Sequence, residues 1–99
     1  MEAVKYLMSA YFHQDWDLDG GAVSDTVASF LNERRDLVSS CADEIDELLQ
    51  QDFPEGGLAA QLAEWGCDYF AGNSDQDYRQ WLDEIRQQIR AALASSAAS

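Results

Sequence analysis

Bases are scarce in this chain. Six lysines and arginines stand against nineteen aspartates and glutamates in 99 residues, a formal net charge of −13 and an isoelectric point of about 4.1. Such a surface repels nucleic acid and anionic lipid, so direct binding to either is not expected. Long apolar runs are missing too. No stretch of ~18 apolar residues occurs, which excludes a membrane-spanning helix. The first residues, MEAVKYLMSAYF, lack the basic and apolar regions of a signal peptide, and the expected location is the cytoplasm. There is one histidine, His13, and one proline, Pro54. The two cysteines, Cys41 and Cys67, show no C-x-x-C spacing, so they read as reduced core residues rather than as a bridge or a zinc site. No segment alternates with period two for long enough to propose a strand; Cys67 to Ala71 is the one short β-tempting piece.

What the chain does have is apolar bulk in helical register. Hydrophobic residues make up 46% and aromatics 11%, enough for a folded domain. Glycine and proline cluster at Gly20-Gly21, at Pro54 to Gly57 and at Gly66 to Asn73, and the segments between them carry helical stripes. Residues 2–12 place Val4, Leu7, Met8 and Tyr11 on one side. A second helix is expected from an N-cap at Ser24 to about Asn32, with Val23, Val27, Phe30 and Leu31 apolar. A third, at about 35–51, lines up Leu37, Val38, Cys41, Ile45, Leu48 and Leu49. A fourth should start after Asp52, with Pro54 in its first turn and Glu55 three residues past the cap. Its stripe is Leu58, Leu62 and Trp65, and Gly66 suits the position just past its end. A fifth opens on the capping-box pattern Ser74-Asp75-Gln76-Asp77 and carries Tyr78, Trp81, Leu82, Ile85, Ile89 and Leu93. Five amphipathic helices without a sheet specify a small all-α bundle. Residues 1–93 form one helical domain, and Ala94 to Ser99 read as a flexible Ala/Ser tail.

Asp15 to Gly20 reads D-x-D-x-D-G, as a calcium loop begins. The ninth loop position is Val23 and the twelfth Thr26, where a bidentate Glu belongs, so a polar interhelix turn is the better reading and a calcium sensor the weaker one. His13 and Asp15 are two residues apart, but nothing local positions Cys41, Cys67 or a serine beside His13 as a nucleophile, and no catalytic, cofactor or metal residue is assigned. Trp65 and Trp81 fall on apolar stripes and read as core; Trp16 caps the same corner. The acidic surface remains. A rotation of 100° per residue puts Asp36, Asp43, Asp46 and Glu47 on the third helix opposite its apolar face, with Glu44 at the edge, and Asp17 and Asp19 form a second concentration. Three of the bases, Arg79, Arg86 and Arg90, lie on the last helix, where Arg79 with Asp83 and Asp83 with Arg86 are spaced for ion pairs. The negative field should be strongest over the second and third helices and the first turn. Asp36, Asp43, Asp46, Glu47, Asp17 and Asp19 are therefore the candidate contacts for a basic protein.

The stretch YFHQDWDL, Tyr11 to Leu18, resembles the signature of a family of bacterial contact-dependent growth inhibition immunity proteins. EIDELL (Glu44 to Leu49) and the block from Cys67 to Ile89 follow in the family's order, so the resemblance covers nearly the whole chain. It implies a non-enzymatic inhibitor that binds the C-terminal domain of a cognate polymorphic toxin, in many cases a basic nuclease, as a monomer pairing one to one with it. It also implies that Tyr11, Phe12, His13 and Trp16 serve the shared fold, with contact left to variable surface positions. The competing reading is a stand-alone acidic nucleic-acid mimic that binds many basic DNA-binding proteins.

Overall fold

Apolar side chains at three- and four-residue spacing build five helices: α1 (Glu2–Tyr11), α2 (Val23–Phe30), α3 (Arg35–Gln50), α4 (Gly57–Glu64) and α5 (Asp75–Ala97). The structure, a computed structural model, describes residues 1–12, 23–67, 71–72 and 74–97. Among these there is no strand, and the fold is a small all-α bundle. The radius of gyration, 13.0 Å, matches the ~13 Å of one folded unit of about 100 residues. His13, Asp15, Trp16, Asp17, Asp19 and Gly20 lie outside the described residues, as does most of the Cys67 to Ala71 stretch.

The stripes bury as their spacing requires. Ala3, Val4, Leu7 and Met8 of α1 meet Val38, Cys41, Ala42, Ile45 and Leu48 of α3, and Trp81, Leu82, Ile85 and Ile89 of α5 close the core. Each large side chain so removed from water contributes roughly 1.5–3 kcal/mol, set against a backbone ordering cost of about 1–2 kcal/mol per residue. Helices α2 and α4 have 8 residues each, below the ~12–15 that an isolated helix needs. They depend on docking Val27 and Phe30, and Leu58 and Leu62, into the common core.

Four cross-links fix the helix directions. The start of α1 meets Glu44, while its last residue, Tyr11, reaches Glu33 just ahead of α3, so α1 runs antiparallel to α3. Arg35 reaches the carbonyl of Leu93 and Arg79 those of Leu49 and Gln51, so α5 is antiparallel to α3 as well. Helix α3 is thus the central strut, with α1 and α5 laid along it.

Helix ends show where local signals won and lost. At the start of α5 the side-chain cap of the box forms: the Asp77 amide donates to Ser74 Oγ at 3.4 Å, while the Asp77 carboxylate accepts from that hydroxyl at 3.3 Å in place of the Ser74 amide. At the end of α4, Gly66 N–H donates to Ala63 and Cys67 N–H to Leu62, both at 3.0 Å, the paired bonds of a left-handed helix stop. Gly66 has φ +99°, and a Cβ there would sit 3.2 Å from Ser9 Cα of α1. Two expectations change. Ser24 lies inside α2, because Val23 is drawn onto the core and the helix begins there. Pro54 precedes α4 rather than opening it: Gly57 N–H closes a turn on the Pro54 carbonyl at 2.7 Å, Gly56 takes φ +80°, and Gly57 is the first helical residue. Helix α5 continues past Leu93, where its apolar stripe ends, to Ala97.

Candidate functional site

Several acids are occupied in holding the helices. Glu44 accepts from the amides of Ala3 at 3.3 Å and Val4 at 3.0 Å, supplying to α1 the cap that its own Met1 cannot. Asp75 does the same for α4, accepting from Leu58 at 3.1 Å and Ala59 at 3.3 Å. Both place a negative charge on the positive end of a helix. Arg79 is the mirror case. Its guanidinium donates to the carbonyls of Leu49 at 2.9 Å and Gln51 at 2.8 Å, at the negative end of α3, and so does not make the helical pair with Asp83 that its spacing suggested.

The α3 acids divide in the same way. Asp46 was expected to face away from the core, yet its carboxylate is clamped between Arg86 and Arg90 of α5. A helical wheel gives the angle from the apolar face but does not know the reach of arginines on the neighbouring helix. Arg86 also holds Asp83, as its spacing suggested, and Arg90 reaches Asp46 at 2.6 Å and Asp43 at 3.6 Å. Hydrogen bonds from Arg90 and then Arg86 hold the Asp46 carboxyl below its ordinary value, and the bond to Asp46 raises Arg90. Asp43 keeps 76% of its side chain exposed, and Asp36, bonded to Arg34 at 3.3 Å, keeps 72%. Glu47 is exposed. These three remain the outward charges of α3; Asp17 and Asp19 lie outside the described residues.

A feature the sequence did not disclose sits at the opposite end of α3, in the turn before it. Glu33 accepts from two phenols through one oxygen: Tyr11 Oη donates to Oε2 at 2.5 Å and Tyr6 Oη to the same atom at 3.1 Å. The rings of Tyr6 and Tyr11 meet edge to face at 6.1 Å, and Tyr11 meets Phe30 at 5.6 Å. Burial, with the bond to Glu33, pushes the Tyr11 phenol up to about 12; the same carboxylate raises Tyr6. Tyr6, 39% exposed, is the one exposed large hydrophobic residue among those described. Glu33 stands 27 and 22 positions from its partners, a distance no local motif spans. The only sequence signal was Tyr6, off the α1 stripe and aromatic.

The other candidates resolve simply. Trp81 is 4% exposed and stacks edge to face on Phe12 at 5.1 Å, and Trp65 packs on the core from the end of α4. Cys41 is buried, its thiol pushed up to about 12 by burial, and both cysteines are free. Among the described residues no group of three His, Cys, Asp or Glu is placed to hold a metal ion, and no helix is long and apolar enough to cross a membrane. An open cleft of about 320 Å³ lies between the start of α4 and the start of α5, with Glu55 and Asp75 in its lining; Asp75 is bonded to the α4 amides.

Outward carboxylates on a helical scaffold, beside others such as Glu44, Asp75 and Asp46 that cap or clamp its helices, make this an acidic all-helical protein with charge to present. Residues 1–89 match the family model described as CdiI immunity protein, and the chain belongs to that family. It is therefore an immunity protein of contact-dependent growth inhibition, whose partner is a cognate toxin protein. No curated protein matches the chain, and no solved structure does.

Proposed function

We propose that the chain neutralises its toxin by laying the acidic face of α3 over a basic active site or substrate surface, one immunity protein to one toxin domain, in the cytoplasm of the cell that makes both. Asp36, Asp43 and Glu47 are the contact charges, with Asp17 and Asp19 extending them, and Asp46 keeps the face in shape by holding Arg86 and Arg90. If the toxin is a nuclease, these carboxylates stand where phosphates of its nucleic acid would lie. The observation that carries this reading is the solvent exposure of Asp43, Asp36 and Glu47, in a chain of net charge −13. Exposed charges of this kind govern the rate and selectivity of encounter more than the final affinity. The test is rapid-mixing association with the toxin domain encoded alongside. Asp43→Lys with Glu47→Lys slows association by roughly tenfold or more at low salt, and the difference shrinks as salt screens it. An unchanged rate at every ionic strength removes the α3 face from the interface.

A further inference from the structure

We propose that Glu33, held between Tyr6 and Tyr11, is a docking point for a cationic side chain, an arginine or lysine, of the bound toxin domain. The proposal rests on the immunity reading and goes beyond it by naming a different surface and the chemistry that fits it.

Four observations carry it. Both hydrogen bonds to Glu33 come from neutral phenols and both end on Oε2, so the carboxylate is oriented but not neutralised, and Oε1 has no partner among the described residues. Of the arginines next to it, Arg34 pairs with Asp36 at 3.3 Å, and Arg35 reaches the Leu93 carbonyl at 3.5 Å from the wall of the cleft that Glu33 also lines. The exposed Tyr6 ring meets the carboxylate through its hydroxyl, so a long cationic side chain that bonds Oε1 runs beside aromatic surface. Beside Glu33 lies a cleft of about 190 Å³ with Leu31, Val38, Ala92 and Leu93 in its walls, apolar surface of the kind that covers the methylene stem of a long cationic side chain. Arg35 lines the same cleft and makes the local field mixed. Recognition here therefore depends on the oriented Oε1 and the ring rather than on a general negative potential.

Preorganisation is the physical advantage. Most surface carboxylates lose side-chain freedom when they pair. Glu33 has already been ordered by its two phenols within the folded chain. Tyrosine beside a half-buried carboxylate also has the character of an interface hot spot, where a few anchors dominate the affinity.

The test is titration calorimetry of the full chain with the toxin domain encoded alongside it, at several salt concentrations. Glu33→Gln, nearly the same shape, weakens binding by roughly tenfold or more and flattens the dependence of affinity on salt. Tyr6→Ala weakens it by about three- to tenfold, and Tyr6→Phe, which keeps the ring, by less than about threefold. Tyr6 is exposed, so its variants remain informative if Glu33→Gln disturbs the fold. Asp43→Lys with Glu47→Lys runs in parallel. Wild-type binding that Glu33→Gln and Tyr6→Ala leave unchanged overturns this proposal and leaves the α3 reading standing. Failure of the wild-type chain to bind overturns both. Loss of affinity in Glu33→Gln with an unaltered salt dependence assigns Glu33 a structural role and overturns the docking point.

Discussion

Two carboxylates near the two ends of α3 each receive a pair of donors, and the pairs differ in charge. Asp46 is held by two guanidinium groups from α5; Glu33 is held by two phenols from α1. Geometry is similar and the electrostatic outcome is opposite. At Asp46 a helix-to-helix link is made and the negative charge is cancelled in making it. At Glu33 a link of the same kind is made and the charge survives. Fixing a helix seam and presenting a charge are therefore separable tasks, and the choice of donor decides which of them a carboxylate performs.

The comparison can be broken at its shared support. Phe12 adjoins Tyr11 in sequence yet stacks on Trp81 of α5, so it joins the two regions. Phe12→Ala is expected to lower stability by about 3–5 kcal/mol in urea unfolding, in one transition that takes both regions together. Two transitions would show that the α1 corner and the α3–α5 seam unfold independently. Glu44→Ala, which uncaps α1 while leaving both clusters in place, should cost about 1 kcal/mol, read from the same unfolding curves.

The two regions should also fail at opposite ends of the pH scale. The Asp46 carboxyl is depressed by its arginines, so its contribution is present above the ordinary carboxylate range and is lost as pH falls through the lowered folded value. Asp46→Asn should lower the thermal midpoint at neutral pH, less so in high salt, and the gap to wild type should close in acid. The Tyr11 phenol is raised from 10.0 to about 12. Its contribution is whole below 10 and declines as pH climbs towards 12, and Glu33→Gln should move its phenolate absorbance transition downward while leaving it raised, since burial is the larger cause. The smallest effect is expected at Glu47: Glu47→Ala should change stability by less than about 0.5 kcal/mol, and a larger loss would show that this acid is tied into the fold after all.

Helix number, order and core were legible because period and apolar identity are local properties. Val4, Leu7, Ile45, Leu82 and Ile89 had to share one interior whichever way the helices were arranged. The capping box at Ser74 and the glycine stop at Gly66 were legible for the same reason: their partners lie within a few residues. The start of α4 was not, because its amides are capped by Asp75 from the next helix, which left Pro54 free to precede the helix. Asp46 was read as outward because its neighbours on α3 are known from the sequence and its partners on α5 are not. Glu33 was passed over entirely, since only the antiparallel course of α1 brings Tyr6 and Tyr11 to it. Acids that the sequence counts alike are sorted by tertiary structure into those that hold helices and those that face solvent.

Gly66 sets a boundary on how this molecule can change. Any side chain there must adopt a left-handed backbone, and its Cβ would sit 3.2 Å from Ser9 Cα on α1, so a substituent strains the backbone and requires the joint to give by a few tenths of an ångström. Glu47, by contrast, is exposed. On the proposed α3 interface, a lineage retuning itself to a new toxin, or a library built to do so in the laboratory, varies the exposed row of Asp36, Asp43 and Glu47, while the α1–α4 joint is the costlier place to change.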